Sequence, residues 1–443
     1  MKKSTTLSFM IIIAAMAIIL ESKAQFNVDG QIIQRTEYRN GFGNLISKDQ
    51  SATVFTAHRA RLQATYQTEN LKFYMSIQDI RTWGSTPQIK ATDNFLSLHE
   101  AWGEINLTEN WAIKLGRQEL NYDNFRFLGN LDWALQARSH DFALVKYEKK
   151  FMKLHFGGAY NQAEQTLIEQ PYLIPLQYKT AQMARYENKW GKFMFSALAW
   201  NDGRYWQEID NLGNTLADGI RYRTTIGFPT LKYQIGDTEF SGFYYHQVGQ
   251  DNTGVSVNAY NFNLNIKHSF MNKMVAGRQW TISAGAEHIS GTGNLTSSIN
   301  TSYQPLYGTN HIFNGYMDLF YVGGRHENTV GLEDYAIKTR FTLNPKFFIQ
   351  GDYHFFRAHS LVFDLRETSP PLLNRNLGSE IDFTFGWLIN DALSIQSGYS
   401  QFFYSDTFAY LNGKNMLKSS QNWAYIMLII RPTMKNKFIG IFL

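Results

Sequence analysis

Several features common in folded proteins are missing from this sequence of 443 residues. It has no cysteine, so no disulfide bond can stabilise the fold. It has only 9 prolines and little of the periodicity of amphipathic helices. After residue 24, no apolar run is long enough to cross a membrane as a helix. The net charge of +5 includes no run of like charges, so nothing indicates nucleic-acid binding.

The N-terminus has the pattern of a secretory signal peptide. Two lysines follow Met1, residues 7–20 are almost all apolar, and Ser22 and Ala24 supply the small side chains of a cleavage site. The apolar run is shorter than the roughly 20 residues of a transmembrane helix. We therefore predict that residues 1–24 are removed and that the mature chain, residues 25–443, begins near Gln25.

Alternating segments recur through the rest of the chain, separated by Asn, Gly and Asp. In residues 54–67 one set of alternate positions is polar and carries Arg59 and Arg61, whereas the other set is mostly small and apolar. Residues 71–78, 279–287 and 380–387 alternate in the same way. A period of two predicts β-strands with one polar and one apolar face. Such strands fit a soluble periplasmic β protein or a transmembrane β-barrel.

The lengths of the connections favour the barrel. Tight turns near 68–70, 108–110, 149–150, 188–189, 236–237, 344–345 and 390–391 alternate with long loops near 39–52, 83–94, 123–138, 162–179, 202–219, 291–334, 359–377 and 404–420. Short periplasmic turns and long outer loops are typical of bacterial outer-membrane barrels. Nine upward strands are predicted to begin near Phe26, Leu71, Trp111, Phe151, Gly191, Thr238, Arg278, Lys346 and Ala392. Nine downward strands answer them, and the last ends near Pro432. The predicted fold is all-β, a transmembrane antiparallel up-and-down β-barrel of about 18 strands, or 16, that uses residues 25–443.

The connection after the fifth predicted strand has an unusual composition for a loop. Residues 115–150 combine arginines, carboxylates and large rings, and the candidates to face permeant are Arg117, Arg126 and Arg138. A barrel of about 18 strands encloses an aqueous channel, so this connection is predicted to fold inward. Arginine pairs with carboxylates and stays charged, which suits anionic permeants. Three rings would anchor the loop to the wall: Phe125, Phe127 and Trp133.

Seven further stretches, in order along the mature chain, carry a family resemblance. They are "HRARLQATYQ" at 58–67, "QDIRTWG" at 78–84, "LHEAWGEINL" at 98–107, "GAEHISG" at 285–291, "YGTNHIFNGYMDLF" at 307–320, "LGSEIDFTF" at 377–385 and "NWAYIMLIIRP" at 422–432. Together with the inward connection they resemble the alginate export porin family of outer membranes. The resemblance implies an 18-stranded barrel with a narrow, arginine-lined, electropositive constriction for an acidic polysaccharide.

The resemblance also implies a set of pore-lining residues, in which the two carboxylates would hold some of the arginines in place. The set is Arg59, Arg61, Asp79, Arg81, Arg117, Arg126, Arg138, Arg223 and Glu287. The alternative role for lumenal arginines is structural pairing with nearby carboxylates. The loop at 307–320 is predicted to be a plug or cap, with His311 and Asp318 in loop packing. The 11 residues after Pro432 depart from the family pattern and are either a shifted last strand or a short extension.

The predicted function is that of an outer-membrane porin that passes a hydrophilic, anionic polysaccharide or oligosaccharide by diffusion. Its expected partners are the outer-membrane bilayer, the carbohydrate and periplasmic export proteins, with no cofactor, metal or nucleic acid. A general or sugar-uptake porin is the alternative, and a barrel with a sealed lumen is another. A lipid hydrolase is a distant alternative, since His288 and Ser290 share one apolar strand face. No motif of a serine hydrolase, zinc protease or nucleotide-binding enzyme occurs, so we predict no enzymatic activity.

Overall fold

A single antiparallel β-barrel accounts for most of the chain. The computed structural model describes residues 25–89, 95–271, 277–294, 298–321, 329–414, 416–432 and 438–441, and the predicted signal peptide lies outside them. The eighteen barrel strands, β1 to β18 in chain order, are Gln25–Asn40, Thr53–Gln67, Leu71–Thr82, Leu96–Asn106, Trp111–Gln118, His140–Lys149, Met152–Tyr160, Thr180–Trp190, Phe193–Ile209, Thr215–Ile235, Thr238–Gln250, Ser256–Met271, Gln279–Ile289, Leu332–Asn344, Phe347–Arg357, Asn376–Leu388, Leu393–Tyr404 and Gln421–Ile430.

The barrel closes between its first and last strands. Each strand pairs antiparallel with the next, and β1 pairs with β18 from Ile32 opposite Ile430 to Asn40 opposite Asn422. Closure gives every strand two neighbours and leaves no open edge. The prediction of an 18-stranded antiparallel barrel is confirmed, and the predicted upward strands begin within two residues of the observed ones.

The two faces of the strands have opposite chemistry. In β16, Phe383 and Trp387 point outward and are 58% and 46% exposed, whereas Glu380 and Asp382 point into the barrel and are buried. Every second position places these pairs on opposite faces. A soluble sandwich would bury its apolar face instead, so this arrangement favours a barrel surrounded by lipid. No helix within the described ranges has the length and apolar character needed to cross a membrane.

Short and long connections lie at opposite ends of the barrel, here called the turn side and the loop side. The loop between β5 and β6, residues 119–139, is called L3, and the loop between β13 and β14, residues 290–331, is called L7. The predicted long loop near 202–219 is wrong, because β9 and β10 continue pairing up to Ile209 opposite Thr215. These residues belong to a hairpin that extends the two strands, and alternation alone did not reveal it.

L3 and the described part of L7 fold into the lumen and form the core of the molecule. A two-residue strand, Ile299–Asn300, pairs with the start of β12, and a 3-10 helix spans Asn310–Ile312. Phe127 of L3 contacts Tyr307 of L7, and both rings contact Trp200 of the wall. All three side chains are buried. The 307–320 segment therefore fills part of the lumen, as a plug would.

Two further segments complete the fold. A short helix, Asp406–Leu411, lies in the loop between β17 and β18, and the Ser405 side chain caps its N-terminus. Past the end of β18, Phe438–Ile441 lie inside the barrel. Residues 438–441 thus belong to an extension and do not shift the register of the last strand.

Candidate functional site

Arg126 of L3 is the centre of a buried polar network. Its guanidinium donates to Glu287 on β13 at 2.7 Å, and to Asn310 and Asn314 of L7 at 3.2 and 2.8 Å. The ring of Phe313 lies 4.5 Å from its central carbon. Arg126 has no exposed surface. It therefore joins L3 and L7 to the barrel wall. Sequence analysis had predicted instead that this arginine contacts the permeant.

Arg59 and Arg61 point into the lumen from β2, but L3 and the wall occupy their donors. Arg59 donates to Asp132 at 2.7 Å and to the Leu135 carbonyl at 3.0 Å. Arg61 donates to Gln78 at 2.9 Å, and its guanidinium lies 3.9 Å from Asp132. Both arginines are buried. Their observed contacts match the structural role that the sequence left open as the alternative.

Trp133 anchors the far end of L3, as predicted for this ring. Its indole stacks on His311 of L7 at 4.1 Å, and its edge contacts Trp423 of β18. Arg35 of β1 lies over the same ring at 4.4 Å and donates to the Trp133 carbonyl at 2.6 Å. His311 also contacts Asp318 at 2.7 Å, within L7. Sequence reasoning missed Arg35, although its position on the inward face of β1 was available as a signal.

Arg138 and Arg223 also bind L7. Arg138 of L3 donates to the Gly308 carbonyl at 3.0 Å, and Arg223 of β10 donates to the side-chain oxygen of Gln304 at 2.5 Å. With Arg59, Arg61 and Arg126, they place five of the predicted arginines inside the barrel, in contact with the loops or the wall.

The remaining three predicted site residues are on the outside of the barrel, which corrects the prediction. Asp79 and Arg81 pair with each other on the outward face of β3, and Arg117 of β5 pairs across strands with Asp141 at 3.1 Å. Arg117 shares its face with Leu115, which is exposed. Strand parity therefore excludes these three side chains from the lumen, and sequence reasoning had passed over that parity.

A cavity of about 500 Å³ remains in the lumen. Asp123, Asn124 and Phe125 of L3 and Ile312 and Phe313 of L7 line it from the loops. Strand residues line the rest, and they include four lysines that sequence reasoning missed: Lys153, Lys232, Lys267 and Lys338.

These lysines keep part of their surface in the lumen although they have acidic neighbours. Lys153 is 39% exposed and lies 2.9 Å from Glu187. Lys267 is 26% exposed and lies 3.2 Å from Glu239. An ammonium group with remaining solvent contact can exchange partners with a passing anion, whereas the buried guanidinium groups cannot do so without detaching a loop.

The comparisons with known proteins bear on the fold. No family model matches the sequence, and no curated protein sequence matches it. Among solved structures, OpdK with vanillate from Pseudomonas aeruginosa aligns with a TM-score of 0.55 and 9% identity over 91% of this chain and 98% of that one. OccK9 (OpdG) from the same organism aligns with a TM-score of 0.56 and 13% identity over the same shares. A second structure of OpdK is described as that of an outer membrane protein. The chain shares the β-barrel fold of OpdK and OccK9. At these identities the likeness concerns the fold, and the alginate-export resemblance stays a prediction.

His288 and Ser290, which raised the hydrolase alternative, have separate partners. His288 stacks on Phe262 at 4.8 Å and meets Tyr335 edge-on. The Ser290 hydroxyl is buried and accepts the backbone N–H of Tyr260 at 2.7 Å. A nucleophile needs a base within hydrogen-bond reach, and the observed contacts of these two residues do not provide that arrangement.

One group among the described residues has the spacing of metal ligands. One ligand atom from each of His99, Glu100 and Glu119 lies within 4.8 Å of the others. His99 hydrogen-bonds Glu119 at 2.9 Å, and Glu100 accepts the Glu119 backbone N–H at 3.0 Å and the Trp102 indole N–H at 3.1 Å. Since protein groups already bind His99, one oxygen of Glu100 and one of Glu119, we assign no metal to the group.

Proposed function

We propose that this protein is an outer-membrane porin that passes small hydrophilic solutes by diffusion. The observation that carries the proposal is the cavity beneath L3 and L7, which charged side chains line, inside a closed barrel whose outward face is apolar. A barrel of this strand number is wide enough for an aqueous channel unless loops restrict it. Here the two inward loops restrict it, which favours small solutes over a bulky polymer.

The exposed charges of the cavity support a preference for anions, as the sequence predicted, but through other residues. Carboxylates line the cavity as well as lysines. They are the less exposed set, with 14% for Glu187 against 39% for Lys153. The arginines Arg59 and Arg126 are buried in loop contacts, whereas Lys153 and Lys267 stay partly exposed to the cavity. Charges in a narrow lumen act through a lower dielectric than bulk water, so each can favour an anion by on the order of 1 kcal/mol. A small sugar acid therefore fits the site better than the neutral sugar. Export of an alginate-like polymer with periplasmic partners remains the prediction of the sequence resemblance alone.

The test uses purified protein in planar bilayers and liposomes. We expect stepwise ion conductance, and faster liposome entry of glucuronate than of glucose at low salt, because the two differ by one carboxylate at similar size. In cells, the protein should fractionate with the outer membrane. A soluble periplasmic protein, or a folded barrel that conducts no ions, would contradict the proposal. Equal entry of the two sugars would contradict the anion preference alone.

A further inference from the structure

The C-terminal segment Phe438–Ile441, here called the tail, occupies a fitted position in the lumen. Ile439 is buried, and the ring of Phe438 contacts Phe348 of β15 edge-on at 5.1 Å. Glycine at position 386 of the wall leaves room for both rings, since a methyl group there would overlap Phe348 and lie 2.8 Å from Phe438. Apolar side chains therefore seat the tail on β15 and β16.

Gln396 of β17 fixes the backbone of the tail. Its side-chain oxygen accepts the Ile439 N–H at 2.9 Å, and its side-chain nitrogen donates to the Ile439 carbonyl at 2.8 Å and to the Tyr425 hydroxyl at 2.7 Å. Gln396 is fully buried. Without the tail this amide would lose two partners in a buried place, which is costly.

The tail also touches the ring that anchors L3. Gly440 has a φ of +69°, and a methyl group on it would overlap the Trp133 indole. Only glycine combines this backbone conformation with so close an approach. Trp133 is thus enclosed by His311, Trp423 and the tail.

The wall behind the tail is apolar, which is unusual for a lumen filled with water. Strand β18 departs from alternation because its inward side chains are as apolar as its outward ones. After Gln421 at the start of the strand, the inward set is buried and consists of Trp423, Tyr425, Met427 and Ile429. L3 and the tail cover these side chains and exclude water from them. Burial of apolar surface is stabilising, which explains why these positions are not polar.

We propose that the tail is an internal latch, a segment of the chain that binds the β15–β18 side of the lumen and holds Trp133, and through it L3, in place. The latch narrows the lumen on that side and leaves the lysine-lined cavity as the route for solute. Its binding is a property of the barrel itself, whereas its effect on conduction rests on the proposed porin function.

Thiol reactivity tests the binding of the tail without any conduction. The chain has no cysteine, so a single introduced thiol is an unambiguous reporter. In the folded barrel in detergent, Ile439→Cys should react with a polyethylene-glycol maleimide at least about tenfold more slowly than Asp391→Cys in an exposed turn, because the tail must detach first. Equal rates in barrels that show the folded gel mobility would overturn the latch.

Two further variants show which contacts hold the tail. Gln396→Ala should accelerate labelling of Ile439→Cys, and Gly440→Ala should do the same by pressing on Trp133. The matched control is Gln247→Ala, which removes a buried lumenal glutamine that binds Gln304 of L7. An unchanged rate in both Gln396→Ala and Gly440→Ala would refute the proposed contacts.

Single-channel recording then links the latch to conduction. Ile439→Asp places a charge in an apolar site and should release the tail, so conductance should rise and fluctuate more. If the thiol is protected but no variant conducts, the porin function fails and the latch stands. If the wild type conducts and the thiol reacts freely, the latch fails and the porin function stands.

Discussion

Arg126 and Glu287 form a buried ion pair between the inward loop L3 and the barrel wall. The closest nitrogen–oxygen distance is 2.6 Å, and the side chains are 0% and 5% exposed. Asn261 and Asn314 donate to the same carboxylate at 2.9 and 3.1 Å, which satisfies its remaining acceptors. Both charges are buried away from water, and each would be uncompensated without the other. The pair therefore fixes the position of L3 against the wall.

Loss of one member of this pair should destabilise the barrel strongly. We expect Arg126→Met to lower the free energy of unfolding by about 3–5 kcal/mol, because Glu287 would stay buried without its counter-charge. The matched control is Arg117→Met, which breaks an exposed pair with Asp141 and should cost at most about 1 kcal/mol. Urea unfolding of the barrel in detergent measures both. Similar small losses in the two variants would show that Arg126 does not anchor L3.

Asp132 should make the attachment of L3 dependent on pH. Burial alone would raise the pKa of Asp132, but the positive charges of Arg59, Arg61 and Arg431 outweigh it and hold the pKa below its usual range. The stability from these contacts is therefore complete above about pH 4, the ordinary range of an aspartate, and is lost as the pH falls through the lowered pKa. Asp132→Asn should remove this contribution.

The unfolding temperatures of the wild type and Asp132→Asn are compared across a range of pH, with gel mobility reporting the folded fraction. The difference between the two unfolding temperatures should be largest at neutral pH and should become smaller in strong acid. Asp391→Asn, in an exposed turn, should track the wild type throughout. A gap that does not change with pH would mean that the ionised carboxylate is not what L3 requires.

The barrel could be predicted from the sequence because alternation and turn spacing are local signals. Upward strands predicted at Leu71, Trp111 and Thr238 begin at those residues. The inward direction of Arg59 follows from the same parity. Parity also places Arg117 outside with Leu115, so that error came from treating Arg117 as part of the inward loop and not as a strand position.

The partners of the inward loops could not be predicted, because they connect distant parts of the chain. Arg126 meets Glu287 across 161 residues, and Gln396 meets the tail across 43. No short-range pattern encodes such contacts. The lysines of the cavity were missed because each is a single charge on a different strand, and only closure of the barrel brings them to one space.

Selectivity should depend on those lysines. Four charges are involved: Lys153, Lys232, Lys267 and Lys338. Replacing all four by Glu should turn an anion-preferring pore into a cation-preferring one at low salt, with the difference fading as salt screens the lumen. Reversal potentials across a salt gradient measure this. As a control, Arg366→Glu on an exposed loop should leave the reversal potential unchanged. An unchanged reversal potential in the fourfold variant would show that these lysines do not set the selectivity.

Gly308 sets how closely L7 approaches L3. A methyl group at this position would overlap the backbone carbonyl oxygen of Arg126, which cannot move aside as a flexible side chain would. We therefore expect Gly308→Ala to separate the loops, lower the free energy of unfolding by about 1–3 kcal/mol and increase the fluctuation of single-channel current. Gly103→Ala is the matched control, because a methyl group on that strand glycine meets no atom within 4 Å. If Gly308→Ala and Gly103→Ala have the same free energy of unfolding and the same current fluctuation, the two loops do not form one packed unit.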